Sequence, residues 1–395
     1  MGGEPTRTAV VVGAGIGGLA VAGALARSGW RVTLFERDER VRPGRTALVL
    51  WPNGIRALRA LGLGAGLDAI GTPLTASGIR RPDGQWLVQP RPVSPHRGPV
   101  VVHGEDLHDA LIAGLGERVD IRTGIAVRAL SSGVGDRPAV DDGRQLVDAD
   151  LVVAADGADS AIRALVAPES TVVSSGCTAW RAVIPWYRAP RLPSERPVGG
   201  ETLGAGYRFV AASLGERGVY WVATAAGAAR PEPPATQLGL LRRWYADWHA
   251  PIGDLLAATE PEDLVQQEVR ELRPLPRCYA RAGGTGGTVL LGDAAHAMPH
   301  HLGQGACLAF EDAATLAATV RAAAPGRALT AAIEWYDRSR RPRVATVVRQ
   351  TRRMSAVLQT RGRLALRARD AALGAITPRL LGSAATAAAD WRPPA

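Results

Sequence analysis

Residues 8–36 read TAVVVGAGIGGLAVAGALARSGWRVTLFE, and this stretch decides the fold. Thr8 to Val12 is an unbroken apolar run, as expected of a strand buried on both faces of a parallel sheet. A glycine-rich turn follows. Gly13 permits a tight turn, Gly15 lets the backbone approach a pyrophosphate, and Gly18 lets helix and strand pack closely. The helical stretch from Gly18 to Ser28 stops at Gly29. A second strand runs from Val32 to Phe35, and Glu36 closes it about 20 residues after the turn. A carboxylate there can take both hydroxyls of an adenosine ribose and repels a 2′-phosphate, while the phosphates rest at the positive end of the helix dipole. A glycine turn alone is weak evidence. Strand, helix and acid together predict a Rossmann-like dinucleotide fold.

Outward from this unit, Pro52-Asn53-Gly54 opens an amphipathic helix with Ile55, Leu58 and Leu61 on one face. Pro82-Asp83-Gly84 turns a hairpin within Gly78 to Gln89. Asp106 to Leu115 is helical, and Leu151 to Ala154 is another buried strand. The pattern changes near Pro168. From Cys177 to Thr224 it alternates with period two, as in half-buried antiparallel strands. Thr178, Trp180, Ala182 and Ile184 share one face, Tyr207, Phe209 and Ala211 another, and so do Val219, Trp221 and Ala223. Helices return at Thr236 to His249, with a strand near Gln266 to Glu271. Thr288 to Leu291 is again a buried parallel strand, so the chain returns to its first domain. A helix then runs from about Gly303 to Ala323, followed by an Arg-rich helix from Leu329 to Leu358 and an Ala-rich tail expected to fray. The expected architecture is α/β. A discontinuous Rossmann-like domain (1–76, 98–166 and 278–328) carries an inserted antiparallel-sheet substrate domain (77–97 and 167–277) and a helical C-terminal segment (329–395).

Composition narrows the function. The 395 residues exceed one average domain, and 46% hydrophobic with 21% charged residues is ordinary for a globular protein. No window approaches the ~18 apolar residues of a membrane span, and Met1-Gly2-Gly3-Glu4-Pro5 lacks the layout of a signal peptide. Gly2 with Thr6 matches a bare myristoylation pattern, taken as chance because a buried strand starts at Thr8. Cys177, Cys278 and Cys307 form neither a disulfide framework nor a zinc signature, so a cytoplasmic home is expected. The net charge of +10 is carried by arginine alone, without one lysine. Apart from Arg338 to Arg353 the arginines are scattered, which reads as a solvated helix face rather than a nucleic-acid surface. The absence of lysine excludes Schiff-base chemistry and a P-loop.

Two further stretches carry chemistry. In Asp150 to Arg163, DLVVAADGADSAIR, a strand ends at Asp156-Gly157, and Ser160 and Arg163 follow on a new helix. In Val289 to Ala313, VLLGDAAHAMPHHLGQGACLAFEDA, a strand ends at Gly292-Asp293. That places the Asp293 carboxylate at the carboxyl edge of the sheet, where ligands bind. Gly303-Gln304-Gly305 opens a helix whose N–H groups and dipole can stabilise negative charge on a bound ring.

Together and in this order, Gly13 to Gly18, Asp156-Gly157 and Gly292-Asp293 resemble the GxGxxG, DG and GD motifs of the single-component FAD-dependent aromatic hydroxylases. These are the para-hydroxybenzoate hydroxylase-like flavoprotein monooxygenases. Within that family GDAAH…P…LGQGAC…EDA is most similar to the salicylate hydroxylase, 3-hydroxybenzoate hydroxylase and zeaxanthin epoxidase branch. Trp180-Arg181 matches its WRG-like strand, and Trp335-Tyr336 with Arg340-Arg341 its terminal helix. The resemblance covers nearly the whole chain. It implies a Rossmann-like FAD-binding domain and an enzyme that takes electrons from NADH or NADPH. It further implies that O2 is used to hydroxylate an aromatic or polycyclic small molecule through a flavin C4a-hydroperoxide. It implies that Asp293 binds the ribityl chain, Glu36 the adenosine ribose, and Arg45 the region near the pyrophosphate. Asp156 with Gly157 would support the pyrophosphate, and Pro299, Gly303 and Gly305 would flank the isoalloxazine. One departure stands out. The family usually has His-Arg-x-Asp-Leu, whose arginine touches FAD, whereas this chain has His103-Gly104-Glu105-Asp106-Leu107. FAD is then held more loosely, or Arg45 compensates.

His296, His300 and His301 cluster, but Pro299 breaks their helical spacing and no carboxylate joins them, so no metal is expected. His300 or His301 could accept a phenolic proton, with a solvated loop as the equal alternative. Tyr207, Phe209, Trp221 and Met298 are candidate substrate contacts, against ordinary core packing. Cys307 reads as packing. Olefin epoxidation on the same fold is the alternative chemistry. Halogenation, faintly suggested by Trp180 to Pro185, needs a lysine that is lacking. A flavin-free basic binding module requires Glu36, Asp293 and the glycines to be relics. The oligomeric state stays open.

Overall fold

The apolar run Thr8–Val12 lies inside a six-stranded sheet, paired in parallel with Arg31–Phe35 on one side and Leu151–Ala154 on the other. The strand order is Ala280–Gly283, Gly286–Leu290, Leu151–Ala154, Thr8–Val12, Arg31–Phe35, Val119–Arg122, with only the first pair antiparallel. Helices cover both faces, so the central strands carry no polar alternation and are almost wholly buried. The structure is a computed structural model that describes residues 6–74, 76–92, 98–133, 136–190, 199–227, 230, 232–375 and 389–394. The Gly2 match and the Ala-rich tail at 376–388 lie outside the described residues.

Steric fit fixes the first turn. Gly13 bends the chain at φ +101, and a Cβ on it would stand 2.4 Å from the Ala155 carbonyl oxygen. A Cβ on Gly18 would stand 1.9 Å from the Gly13 carbonyl oxygen. With neither present, the helix Ile16–Arg27 settles onto the sheet and against the helix Gly305–Val320.

A second sheet has seven strands in the order Val265–Arg273, Thr171–Ile184, Val219–Ala226, Tyr207–Ser213, Gly199–Leu203, Ala76–Arg80, Trp86–Pro92. The alternation predicts half-burial, but the structure covers both faces. Trp180, Ala182, Ile184, Phe209 and Trp221 pack with Leu238, Leu241 and Leu255 of the helices Pro234–Trp244 and Ile252–Ala258. On the reverse face Cys177, Ala179, Tyr220 and Val222 pack with Ala47 and Val101. Those two residues belong to a small sheet of Ala47–Leu50, Val100–His103 and Thr72–Pro73, lying between the larger units. A three-stranded meander of Leu130–Ser132, Pro138–Asp141 and Leu146–Asp148 is too short to have left a periodic signal.

The helix Arg327–Leu358 buries Leu329, Ile333, Tyr336, Val344, Val347 and Val348 along one stripe. Its arginines correct the expectation of a solvated face. Arg338, Arg341, Arg349 and Arg353 do face water, but Arg340, Arg343 and Arg352 turn inward onto Glu311, Asp312 and Glu271. Among the described residues no helix is long and apolar enough to cross a membrane, and no group of three or more His, Cys, Asp or Glu could hold a metal.

Candidate active site

Because the strands are parallel, Gly13, Glu36, Asp156 and Asp293 all emerge at one carboxyl edge of the six-stranded sheet. Gly15 caps the first helix at φ −69 and ψ 174, and a Cβ there would meet nothing within 4 Å. Gly157 and Gly305 have the same open space before them. The Glu36 carboxylate accepts the Ala14 N–H at 2.8 Å and the Asp38 N–H at 3.0 Å, which pins it against the glycine turn. It keeps lone pairs for further donors. Asp156 accepts the Ala161 N–H at 3.0 Å through Oδ2, while its buried Oδ1 has no partner. Burial pushes that carboxyl above its ordinary range.

Asp293 opens the short helix Asp293–His296, and its side chain is exposed. The protein mass around it still pushes the carboxyl upward, against the opposing pull of His296 and Arg270. No described side chain hydrogen-bonds to it. An open carboxylate, an orphaned buried oxygen and three glycines facing empty space make a donor set and cradle that suit the phosphates and polyol of FAD.

Two positions of the family pattern have backbone contacts of their own. Arg45 is exposed and donates to the Glu262 carbonyl at 2.5 Å, which ties its loop to the turn Pro261–Asp263. Gly104 donates its N–H to the Thr46 carbonyl at 2.8 Å, and a Cβ there would stand 2.2 Å from the Gly44 carbonyl oxygen. Close backbone packing, and not the loss of a useful cation, explains glycine at this position.

Pro299 leads into the turn His300–Leu302, Gly303 takes the left-handed conformation at φ +62, and Gln304 caps the helix Gly305–Val320. The His300 and His301 rings lie 4.9 Å apart. Among the described residues His300 Nε2 and both nitrogens of His301 are buried without hydrogen-bond partners. Burial first, then Arg181, His301 and Arg208, hold His300 well below the usual imidazole range. Burial and Arg208 push His301 down to about 3. Both rings are therefore neutral near pH 7. A ring that protonates only near pH 3 is a weak general base toward a phenol. As a neutral ring it offers one donor and one acceptor. Met298 is 9% exposed and packs in the main apolar core.

The aromatic stripe faces away from this segment. Phe209 stacks on Trp221 with centroids 5.4 Å apart, and Trp221 Nε1 donates to Thr259 Oγ1 at 3.0 Å. Tyr207 packs at the edge of the same cluster. These three fill the space beneath the covering helices, as core residues do. Their strand neighbours point the other way, because side chains alternate across a sheet. Arg208 donates to Glu201 at 2.7 Å and 3.0 Å, and lies 3.4 Å from the His301 carbonyl oxygen. Arg181 donates to Gln267 at 2.5 Å and also bonds to Tyr220, with no carboxylate within 4 Å among the described residues. Sequence reasoning left Arg208 and Tyr220 unassigned. A charged residue within the apolar run Tyr207–Ser213 was the signal for Arg208. Cys307 accepts the Trp51 N–H at 3.3 Å, and burial pushes its thiol up to about 12, so it packs and does not react.

The profile of the family described as FAD binding domain matches residues 6–351. The chain is 36% identical over 324 residues to 2-heptyl-3-hydroxy-4(1H)-quinolone synthase of Pseudomonas aeruginosa, covering 78% of this chain and 80% of that one. It is 33% identical over 321 residues to the aurachin C monooxygenase/isomerase of Stigmatella aurantiaca, covering 78% and 79%. The structure of Klebsiella pneumoniae HpxO complexed with FAD and uric acid superposes with a TM-score of 0.81 at 25% identity, covering 97% of this chain and 96% of that one.

Proposed function

The chain belongs to the FAD-binding family of flavoprotein monooxygenases, and on that premise we propose that it hydroxylates a planar aromatic or polycyclic small molecule bearing an acidic ring group, with NAD(P)H as reductant and O2 as oxidant. The overall change consumes one NAD(P)H, one O2 and one proton. One oxygen atom goes onto the substrate and the other leaves as water. Bound FAD supplies a ring that takes up hydride and passes the electrons on to O2.

This chain's own residues bind, orient and exclude water. The glycine turn and the N-terminus of Ile16–Arg27 would hold the pyrophosphate, Glu36 the ribose and Asp293 the ribityl chain. Gly305, at the start of its helix, offers N–H groups and a positive dipole end to negative charge on the ring. The observation that carries the substrate reading is the set of nitrogens on His300 and His301 left unpartnered among the described residues, within electrostatic reach of Arg181 and Arg208. Buried polar atoms without partners are costly unless a ligand satisfies them. The Arg181 guanidinium, with no carboxylate within 4 Å among the described residues, favours the ionised form of an acidic ring hydroxyl, which enriches the ring without a general base.

The test is substrate-stimulated NAD(P)H oxidation across phenols, acidic heterocycles, neutral quinolones and polyenes, in wild type and Arg181→Met. Acidic aromatics should stimulate most and lose that advantage in the variant. Stimulation by polyenes alone would refute the reading in favour of olefin epoxidation.

A further inference from the structure

Two adjacent carboxylates on the helix Gly305–Val320, Glu311 and Asp312, are fully buried, and each reaches one of the loops flanking the candidate FAD cleft. Asp312 Oδ2 accepts the Gly292 N–H at 3.0 Å and His296 Nε2 at 2.6 Å. Glu311 Oε1 accepts Asn53 Nδ2 at 2.7 Å, and the same amide donates to Gln304 Oε1 at 2.9 Å. So one carboxylate grips the turn that presents Asp293. The other, through Asn53, grips the turn that opens at Gln304 and Gly305.

Both carboxylates are clamped from the C-terminal helix. Arg340 Nε donates to Asp312 Oδ1 at 2.7 Å, and its Nη2 lies 2.8 Å from Glu311 Oε2 as an ion pair out of hydrogen-bond alignment. Arg343 donates to Glu311 at 2.7 Å and 3.1 Å. Burial alone would raise the Asp312 carboxyl, but His296 and Arg340 outweigh it and hold the group below its ordinary range, hence charged.

The Asp293 turn needs such a grip. Gly292 sits at φ +63 and ψ −139, a region that side chains rarely tolerate, and such a conformation persists only where its surroundings over-determine it. Among the described residues the Asp293 side chain has no hydrogen-bond partner, so its aim depends on the turn behind it. We infer that Glu311 and Asp312, clamped by Arg340, are positioning residues that set the two cofactor-facing loops separately. Asp312 orients the Asp293 carboxylate and thereby FAD affinity. Glu311, through Asn53 and Gln304, sets the surroundings of the isoalloxazine. The inference rests on reading the cleft as the FAD site.

The test measures FAD dissociation constants, flavin midpoint potentials and visible spectra on the folded full-length chain, well below each variant's melting temperature. Asp312→Asn keeps size but offers a single oxygen to three donors, and should weaken FAD by about 10- to 100-fold. Glu311→Gln should leave affinity within about threefold while shifting potential and spectrum. Should Asp312→Asn not fold, the histidine carries the test. His296→Gln keeps a donor and should bind FAD nearly as wild type does, whereas His296→Leu should bind it several-fold more weakly. Leu329→Ala, a core change elsewhere on the C-terminal helix, should lower melting temperature and leave affinity alone. Wild-type affinity in Asp312→Asn or His296→Leu overturns the inference, as does an equal loss in Leu329→Ala. A wild-type chain unable to bind FAD would instead overturn the reading of the cleft.

Discussion

Gly15→Val separates holding a cofactor from holding a fold. At φ −69 and ψ 174 the backbone is extended, a conformation valine adopts without strain, and a Cβ there meets no atom within 4 Å. The apoprotein should lose less than about 1 kcal/mol, or gain a few tenths from reduced unfolded-state entropy. The same side chain occupies the space through which a pyrophosphate must approach the backbone. Losing two N–H bonds to charged oxygens, at about 1.5–3 kcal/mol each, removes about 3–6 kcal/mol of binding. That is about 10²- to 10⁴-fold in the FAD dissociation constant. Gly18→Ala, three residues on, adds one methyl group 1.9 Å from the Gly13 carbonyl oxygen. The helix must back away from the strand, at about 1–3 kcal/mol or more. Thermal melting of apoprotein and quenching of flavin fluorescence on titration read the two effects apart. If Gly15→Val binds FAD within about threefold of wild type, or melts as early as Gly18→Ala, the argument fails.

Other outcomes follow from the same geometry. Gly104→Arg should destabilise the fold rather than tighten FAD, because its Cβ collides with the Gly44 carbonyl oxygen; a variant with unchanged melting temperature and stronger FAD binding would restore the lost-arginine reading. His301 is held near 3 in the folded state against about 6.5 when unfolded, so below pH 6.5 the unfolded chain takes up a proton that the folded chain refuses. Stability is therefore lost as pH falls, by about 2 kcal/mol at pH 5 for this residue. His301→Gln should flatten that loss between pH 7.5 and 5.0 in urea titrations, and parallel curves for the two proteins would count against it. Asp293→Asn should weaken FAD by about tenfold or more, since hydrogen bonds to charged groups exceed those to neutral ones; full flavin occupancy on dilution would remove Asp293 from the site.

Local chemistry left the first fold legible in the chain. A parallel strand must be apolar on both faces, a glycine must stand where a Cβ would collide, and an acid must close the second strand. Each of these is a short-range demand, written at Thr8–Val12, Gly13, Gly18 and Glu36. The stretch from Gly292 to Asp312 was legible for the same reason. Period-two alternation likewise separated the two faces of the second sheet. It could not say which face meets the cleft, because alternation is symmetric. The helices Pro234–Trp244 and Ile252–Ala258 decide that by folding over Phe209 and Trp221, which leaves Arg181, Arg208 and Tyr220 on the side of His300. Nor could composition tell the arginines of one helix apart. Arg338 and Arg341 meet water, whereas Arg340 meets Glu311 and Asp312, because only the packed position of that helix sets which side faces in. Gly104 shows the same limit at a single residue. In sequence it reads as a missing contact, and only the approach of the Gly44–Thr46 backbone makes it a steric necessity.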